Sequence, residues 1–243
     1  MDQLLIALDV PTGAEALHLA STLRGVTGGF KIGSRLFTAE GPEIVRRVVA
    51  LGERVFLDLK FHDIPNTVAA AVEAATALGV WMVNVHASGG SRMMRAARDA
   101  AHDTAARLGT SPPLVIGVTV LTSMNEDSLG EAGVRGPVLD QVLRLADLAQ
   151  RAGLDGVVAS PQETAIVRQR MGAGFSIVTP GIRGGGARTP GKDDQERTLT
   201  PAEAIAAGAN YLVVGRPIIA AQDPRRAAEE IAEEMRGGSV LKF

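Results

Sequence analysis

Short apolar runs recur along the chain, separated by segments whose apolar residues repeat at helical spacing. The runs lie near Leu4–Asp9, Gly29–Ile32, Arg54–Lys60, Met82–His86, Leu114–Leu121, Gly156–Ser160, Ser176–Thr179 and Asn210–Gly215. Several are built of Val, Ile and Leu with little alternation, as expected of parallel strands covered on both faces. The intervening patterns predict helices over Ala14–Leu23, Pro42–Leu51, Thr67–Leu78, Arg92–Leu108, Val138–Ala152, Gln162–Arg170 and Pro201–Ala207. Gly25, Gly52, Gly79, Gly109, Gly153, Gly172 and Gly208 follow these helices, where a left-handed C-terminal cap is favoured. A last helix is predicted from about Pro224 to Met235, with Asp223 as N-cap and Pro224 at its first position. Its Arg225/Glu229 and Arg226/Glu230 pairs suit a solvated face.

Eight strand–helix units in 243 residues match the ~250-residue (β/α)8 TIM barrel. A doubly wound open sheet is the other α/β solution. It would place a glycine-rich turn after the first strand, and Asp9-Val10-Pro11-Thr12-Gly13 contains no G-x-G-x-x-G. A single barrel over residues 1–243 is therefore expected. One stretch breaks the rhythm: from Gly184 to Thr198 the only apolar side chains are Ala187 and Pro190. A polar loop this long, at about 184–199, suits either a lid over a binding site or a disordered insertion.

Composition narrows the function. The chain carries 25 Lys and Arg against 27 Asp and Glu, a formal charge of −2, so it has no bulk field for a nucleic-acid backbone or an anionic membrane. Aromatic residues make up 3% of the chain, too few for a base-stacking platform. There is no cysteine, which excludes disulfide scaffolds, thiolate metal sites, Fe–S clusters and Cys nucleophiles. The apolar run Leu4–Leu8 is too short for a signal peptide or a membrane span. A cytoplasmic enzyme or binding protein is expected.

In a barrel, chemistry gathers at the C-terminal ends of the strands, where the loops surround one mouth. Unusual polar residues fall at those positions here. Asp9 ends the first run, Lys31 lies within the second, Asp58 and Lys60 close the third, and His86 ends the fourth. Thr122 and Ser123 end the fifth, Ser160 the sixth, and Arg216 follows the eighth. Asp58 and Lys60, two apart on a strand, share a face. With Lys31 across the barrel and Asp63 just beyond, they suggest an alternating charge network. Two like charges roughly 4 Å apart cost about 4 kcal/mol at an effective dielectric near 20; two lysines offset that and keep the carboxylates ionised and the lysines protonated. Lys60 is then a candidate proton donor to a developing carbanion. Asp63 equally suits a cap on the following helix, and His86 either a mouth residue with its hydrogen bonds satisfied or a catalytic one.

The segment around Val214-Gly215-Arg216-Pro217-Ile218, a glycine ending the last strand before a short helix, is the usual phosphate position of a barrel. Arg216 adds a planar cation, and Arg183, in Thr179-Pro180-Gly181-Ile182-Arg183, belongs to the same neighbourhood. Together they indicate a phosphorylated ligand. His18, His62, His86 and His102 show no metal-ligand spacing, and Ser123 and Ser160 lack a nucleophile elbow. His18 is expected on a helix surface, and Trp81, Met93 and Met94 in packing.

The run Asp58-Leu59-Lys60-Phe61-His62-Asp63-Ile64-Pro65-Asn66-Thr67 resembles the signature of the orotidine 5′-phosphate decarboxylase family. In order along the chain come Leu5-Ile6-Ala7-Leu8-Asp9, Phe30-Lys31-Ile32-Gly33, Val118-Thr119-Val120-Leu121-Thr122-Ser123-Met124 and the two phosphate segments. The resemblance implies cofactor-free conversion of orotidine 5′-phosphate to UMP and CO2 in pyrimidine synthesis, without a metal. By position it makes Lys60 the proton donor to C6, Asp58 the carboxylate beside the departing CO2, and Lys31 the group ordering the charges. Asp9 and Lys31 contact the ribose, and Thr122 the pyrimidine. Arg183, Gln195, Gly215 and Arg216, with Pro180 nearby, surround the phosphate. It further implies a homodimer in which Asp63, Ile64 and Thr67 reach into the partner's mouth. Two other readings are a related sugar-phosphate lyase of the 3-keto-L-gulonate 6-phosphate decarboxylase or hexulose-phosphate synthase type, and a phosphate-ligand-binding barrel without catalysis. The first uses Mg²⁺ held partly by an acidic residue on the second strand, where this chain has Lys31.

Overall fold

The computed structural model describes residues 2–182 and 199–239. Within them, parallel strands alternate with helices in the order β1 (Leu4–Ala7), α1 (Gly13–Thr22), β2 (Gly29–Gly33), α2 (Ser34–Glu40), α3 (Glu43–Ala50), β3 (Val55–Phe61), α4 (Pro65–Ala77), β4 (Met82–His86), α5 (Gly90–Leu108), β5 (Leu114–Val118), α6 (Glu126–Glu131), α7 (Val138–Arg151), β6 (Gly156–Val158), α8 (Pro161–Met171), β7 (Ser176–Pro180), α9 (Pro201–Ala206), β8 (Tyr211–Val214), α10 (Arg216–Ile219) and α11 (Pro224–Ser239). Each strand pairs with the next, and β8 closes on β1 through Leu4↔Leu212, Leu5↔Val213 and Ile6↔Val214. This is the expected (β/α)8 barrel.

Strand alternation divides the core into two shells. Leu4, Ile6, Phe30, Ile32, Val55, Leu57, Val83 and Val85 face outward and are buried under the helices. Leu5, Phe56, Met82, Ile116, Val178 and Val213 fill the barrel interior, packed as side-chain layers rather than left as a pore. Trp81 stands edge-on to Tyr211, with ring centroids 5.2 Å apart, and the Arg54 guanidinium lies 4.6 Å above the indole. These groups lie at the N-terminal ends of their strands and cover that end of the interior. The opposite end carries the polar residues.

Helix punctuation follows the expected chemistry. All seven glycines named above take a positive φ, between 68° and 104°. Asp223 Oδ1 accepts from the Arg226 N–H at 3.0 Å, and Arg225–Glu229 and Arg226–Glu230 pair at 3.1 and 2.9 Å on the surface. Met93 and Met94 are buried and His18 is exposed.

Several expectations need correction. Two short helices, α2 and α6, were absent from the periodicity because six or seven residues hold under two turns of pattern. β5 ends at Val118 rather than Leu121, and Thr122 and Ser123 lie in a turn closed by Met124 N–H to Leu121 O at 2.9 Å. β6 ends at Val158, and Ser160 instead precedes α8, where Glu163 accepts from its backbone N–H at 2.8 Å. Lys31 is not across the barrel from Asp58: β2 and β3 are neighbours, with Gly33 opposite Asp58. Arg183, Gln195 and the segment 184–198 lie outside the described residues.

Candidate active site

At the C-terminal mouth, four charged side chains from three adjacent strands form a line of alternating sign. Asp9, just past β1, meets Lys31 of β2 at 3.1 Å. Lys31 meets Asp58 of β3 at 3.5 Å, and Asp58 meets Lys60 at 2.7 Å. The two interior members are the best shielded, with side-chain exposures of 10% for Lys31 and 13% for Asp58. Lys60, at 36%, faces the opening. Alternation is what permits such a cluster in a low-dielectric place, since every charge has an opposite neighbour.

Asp58 shows how the balance falls. Burial pushes its carboxyl toward the neutral form, but the Lys31 and Lys60 ammonium groups outweigh that. With hydrogen bonds from Lys60 and Asn84, they hold it below its ordinary 3.8. The carboxylate is therefore ionised at neutral pH, as expected from the sequence. His86, at the end of β4, is depressed below 6.5 by burial, with the positive charge of His62 and Lys60 adding to the effect against the opposing pull of Asp58. The His62 and His86 rings lie 5.4 Å apart.

The backbone here departs from a regular strand. Pairing between β3 and β4 runs Leu57↔Val83 and then Phe61↔Val85, so β3 spends four residues where β4 spends two. Within that bulge, Lys60 takes φ +53°, the only positive φ of a non-glycine among the described residues. A left-handed L-residue costs about 1–2 kcal/mol, and such strain persists only where its surroundings enforce it. Asn84, fully buried on β4, faces the bulge. Its Oδ1 accepts from the Lys60 N–H at 2.8 Å and its Nδ2 donates to Asp58 Oδ1 at 2.6 Å. Sequence reasoning missed Asn84; its only signal is an amide inside an otherwise apolar strand, Met82-Val83-Asn84-Val85. It also missed Arg35, whose guanidinium donates to the Asp9 carbonyl at 3.3 Å.

The remaining candidates fall in two groups. Gly215, the residue preceding α10, lies against the line: a β-carbon there would stand 3.4 Å from Ala7 Cβ and 3.9 Å from Asp9 Oδ2. Pro180, at the end of β7, pairs with Val213 of β8, and Arg216 begins α10. The two segments thus end on adjacent strands. Asp63, Ile64 and Thr67 are not part of the line within the single chain. All three are exposed, Ile64 at 66%. Asp63 Oδ1 accepts from the Ile64 N–H at 2.6 Å, whereas the residue capping α4 is Ile64 itself, without a side-chain bond. Thr122 is half-buried in its turn. Among the described residues, no three His, Asp or Glu side chains are grouped to hold a metal ion, and no helix is long and apolar enough to cross a membrane.

A closed parallel barrel with a line of alternating ammonium and carboxylate groups at its mouth, and Gly215 leading into a short helix beside it, defines an α/β barrel whose polar groups gather at the C-terminal ends of its strands. Comparison with known proteins makes the class specific. The profile of the orotidine 5′-phosphate decarboxylase / HUMPS family matches residues 2–231, and the chain belongs to that family. It is 54% identical over 233 residues to an orotidine 5′-phosphate decarboxylase of Syntrophotalea carbinolica, covering 96% of this chain and 94% of that one. Against the Saccharophagus degradans protein of that name it is 51% identical, covering 98% and 97%. The crystal structure of orotidine 5′-phosphate decarboxylase from Lactobacillus acidophilus superposes with a TM-score of 0.85 at 37% identity, covering 96% of this chain and 98% of the other.

Proposed function

We propose that the protein decarboxylates orotidine 5′-phosphate to UMP and CO2 as a step of pyrimidine biosynthesis, in the cytoplasm, as a homodimer. The observation that carries this reading is the Asp9–Lys31–Asp58–Lys60 line in a chain more than half identical to proteins of that name.

The chemistry follows from the charges. Loss of CO2 from C6 of the pyrimidine leaves an electron pair in an sp2 orbital in the ring plane, where the π system does not delocalise it. A fixed charge array already facing that carbon lowers the barrier without reorganising during the reaction. The substrate carboxylate sits beside Asp58, so like charges oppose each other until the carboxylate departs as neutral CO2; that ground-state contribution adds to the stabilisation of the carbanion. The Lys60 ammonium stabilises the carbanion and donates its proton to C6, forming the C–H bond of UMP, and recovers a proton from water. Lys31 keeps Asp58 ionised while holding Asp9 for the ribose. Gly215, Arg216 and Arg183 bind the phosphate, Gln195 contacts it from the 184–199 loop, and that remote binding energy draws the loop closed. Thr122 contacts the pyrimidine. Asp63, Ile64 and Thr67 complete the partner's site, a reading supported by their exposure beside the mouth.

The Mg²⁺-dependent sugar-phosphate reading is the weaker one. Lys31 Nζ occupies the space between the Asp9 and Asp58 carboxylates, so the positive charge at that point is already supplied by the protein.

The test is a spectrophotometric assay of orotidine 5′-phosphate in EDTA, with wild-type protein and Lys60→Ala side by side. Turnover by the wild type is expected, with kcat lower by at least about 10³-fold in Lys60→Ala and UMP binding still measurable by calorimetry. Folded, dimeric wild-type protein without turnover would overturn the assignment. Tight UMP binding without turnover would favour the non-catalytic barrel.

A further inference from the structure

β4 seals one amide among apolar neighbours. Asn84 has 0% exposure, and a buried carboxamide is costly unless its groups are paired. Both of its bonds go to one place. β3 carries two more residues than β4 across the bulge, so the sheet ladder offers the Lys60 N–H no carbonyl in register. Asn84 Oδ1 takes that N–H at 2.8 Å, and Asn84 Nδ2 reaches Asp58 Oδ1 at 2.6 Å. The orientation of the amide is dictated by its partners: the Lys60 N–H is only a donor and the ionised Asp58 only an acceptor. Asp58 Oδ1 then receives Asn84 and the Lys60 ammonium together, while Oδ2 is turned to Lys31 at 3.5 Å.

We infer that Asn84 is a positioning residue for the decarboxylation. It holds the Lys60 backbone in its left-handed conformation, from which Nζ reaches both Asp58 and the mouth. It also fixes the rotation of the Asp58 carboxylate, so that each oxygen faces its own lysine. The inference rests on the functional reading above. It concerns the placement of the two groups at the reacting carbon and not the binding of the nucleotide, whose proposed phosphate residues come from the ends of β7 and β8.

The test compares wild type, Asn84→Ala and Asn84→Leu. The leucine variant keeps the branched shape and number of side-chain heavy atoms and removes both hydrogen bonds, while the alanine variant removes them without adding bulk, so the pair separates positioning from filling. In both variants kcat is expected to fall about 10- to 100-fold, the loss typical of bonds to charged groups, while UMP affinity stays within about threefold of wild type. Asn84→Leu with kcat within about twofold of wild type overturns the inference, as does a loss of UMP affinity in step with kcat. A wild-type chain without turnover fails the functional reading, and this inference with it. Should neither variant fold, a crystal structure of the wild type with UMP decides: Asn84 Oδ1 within about 3.2 Å of Lys60 N is expected, and a separation too long for a hydrogen bond overturns the inference.

Discussion

A β-carbon built on Gly33 would stand 2.9 Å from the Nζ of Lys31. Gly33 has φ −97°, open to any residue, so what glycine supplies here is space for an ammonium rather than backbone freedom. Lys31 cannot retreat without giving up Asp9 or Asp58, which flank it at 3.1 and 3.5 Å.

Gly33→Ala is therefore expected to displace the Lys31 ammonium and lower kcat about 10- to 100-fold, since small misplacements of reacting groups carry penalties of that order. Steady-state kinetics run beside thermal unfolding checks this. Wild-type turnover in the variant would mean that Lys31 has room to spare.

Ile64 presents a large apolar side chain to solvent, 66% exposed, next to Asp63 at the start of α4. If the homodimer covers it, Ile64→Asp removes apolar burial worth about 1.5–3 kcal/mol from each half of a two-fold interface. Sedimentation should then show a shift toward monomer, with turnover falling as the protein is diluted. Asp63→Asn is expected to keep the dimer and lower kcat by roughly 10²-fold. An intact dimer in Ile64→Asp would move the interface elsewhere.

Acid stability should report His86. Its folded pKa lies below the unfolded 6.5, through burial first and then the positive charge of His62 and Lys60, against Asp58. The unfolded chain therefore binds the proton more readily, so stability is lost as pH falls through 6.5 toward the lower folded value. Asp58, depressed below 3.8, contributes stability that is present above that value and is lost only as pH drops through its own folded pKa. Between about pH 7 and 5 the loss should thus be smaller in His86→Asn than in wild type when thermal midpoints are compared. Parallel slopes in the two proteins would assign the pH dependence to other groups.

Arg168 joins the N-terminal ends of β7 and β8 to α8. It donates to the Gly208 carbonyl at 2.8 and 3.1 Å, to Phe175 O at 2.7 Å, and also to Gly172 O and Asn210 Oδ1. Arg168→Ala leaves several of these acceptors without their donor and should lower unfolding free energy by about 2–4 kcal/mol in urea titrations. Activity per folded molecule should be unchanged, because this cluster lies at the barrel end away from the mouth. A selective fall in kcat would contradict that placement.

The architecture was legible because its cause is local. Short unalternating Val/Ile/Leu runs between helical patterns suit strands covered on both faces, and glycines after each helical pattern mark where the chain turns. The charged positions at strand ends were legible for the same reason: an ionised side chain ending an apolar strand has to face a mouth or a partner. The strand ends mark Asp9, Lys31, Asp58 and Lys60 but not their order: the pattern suggests Lys31 across the barrel, and the structure places its strand beside that of Asp58.

The chain order of its residues determined an eight-fold parallel barrel, the family, and the side chains at its mouth, since periodicity and motif are carried by residues near one another in sequence. Only the tertiary structure decided that Asp9 rather than Asp63 is the second carboxylate of the line within one chain. It alone decided that β3 bulges so that Lys60 turns left-handed, and that a buried amide from β4 holds the bulge. Those features depend on the register between strands some twenty residues apart, and a repeat of two along either strand reads the same whether or not its neighbour is in step.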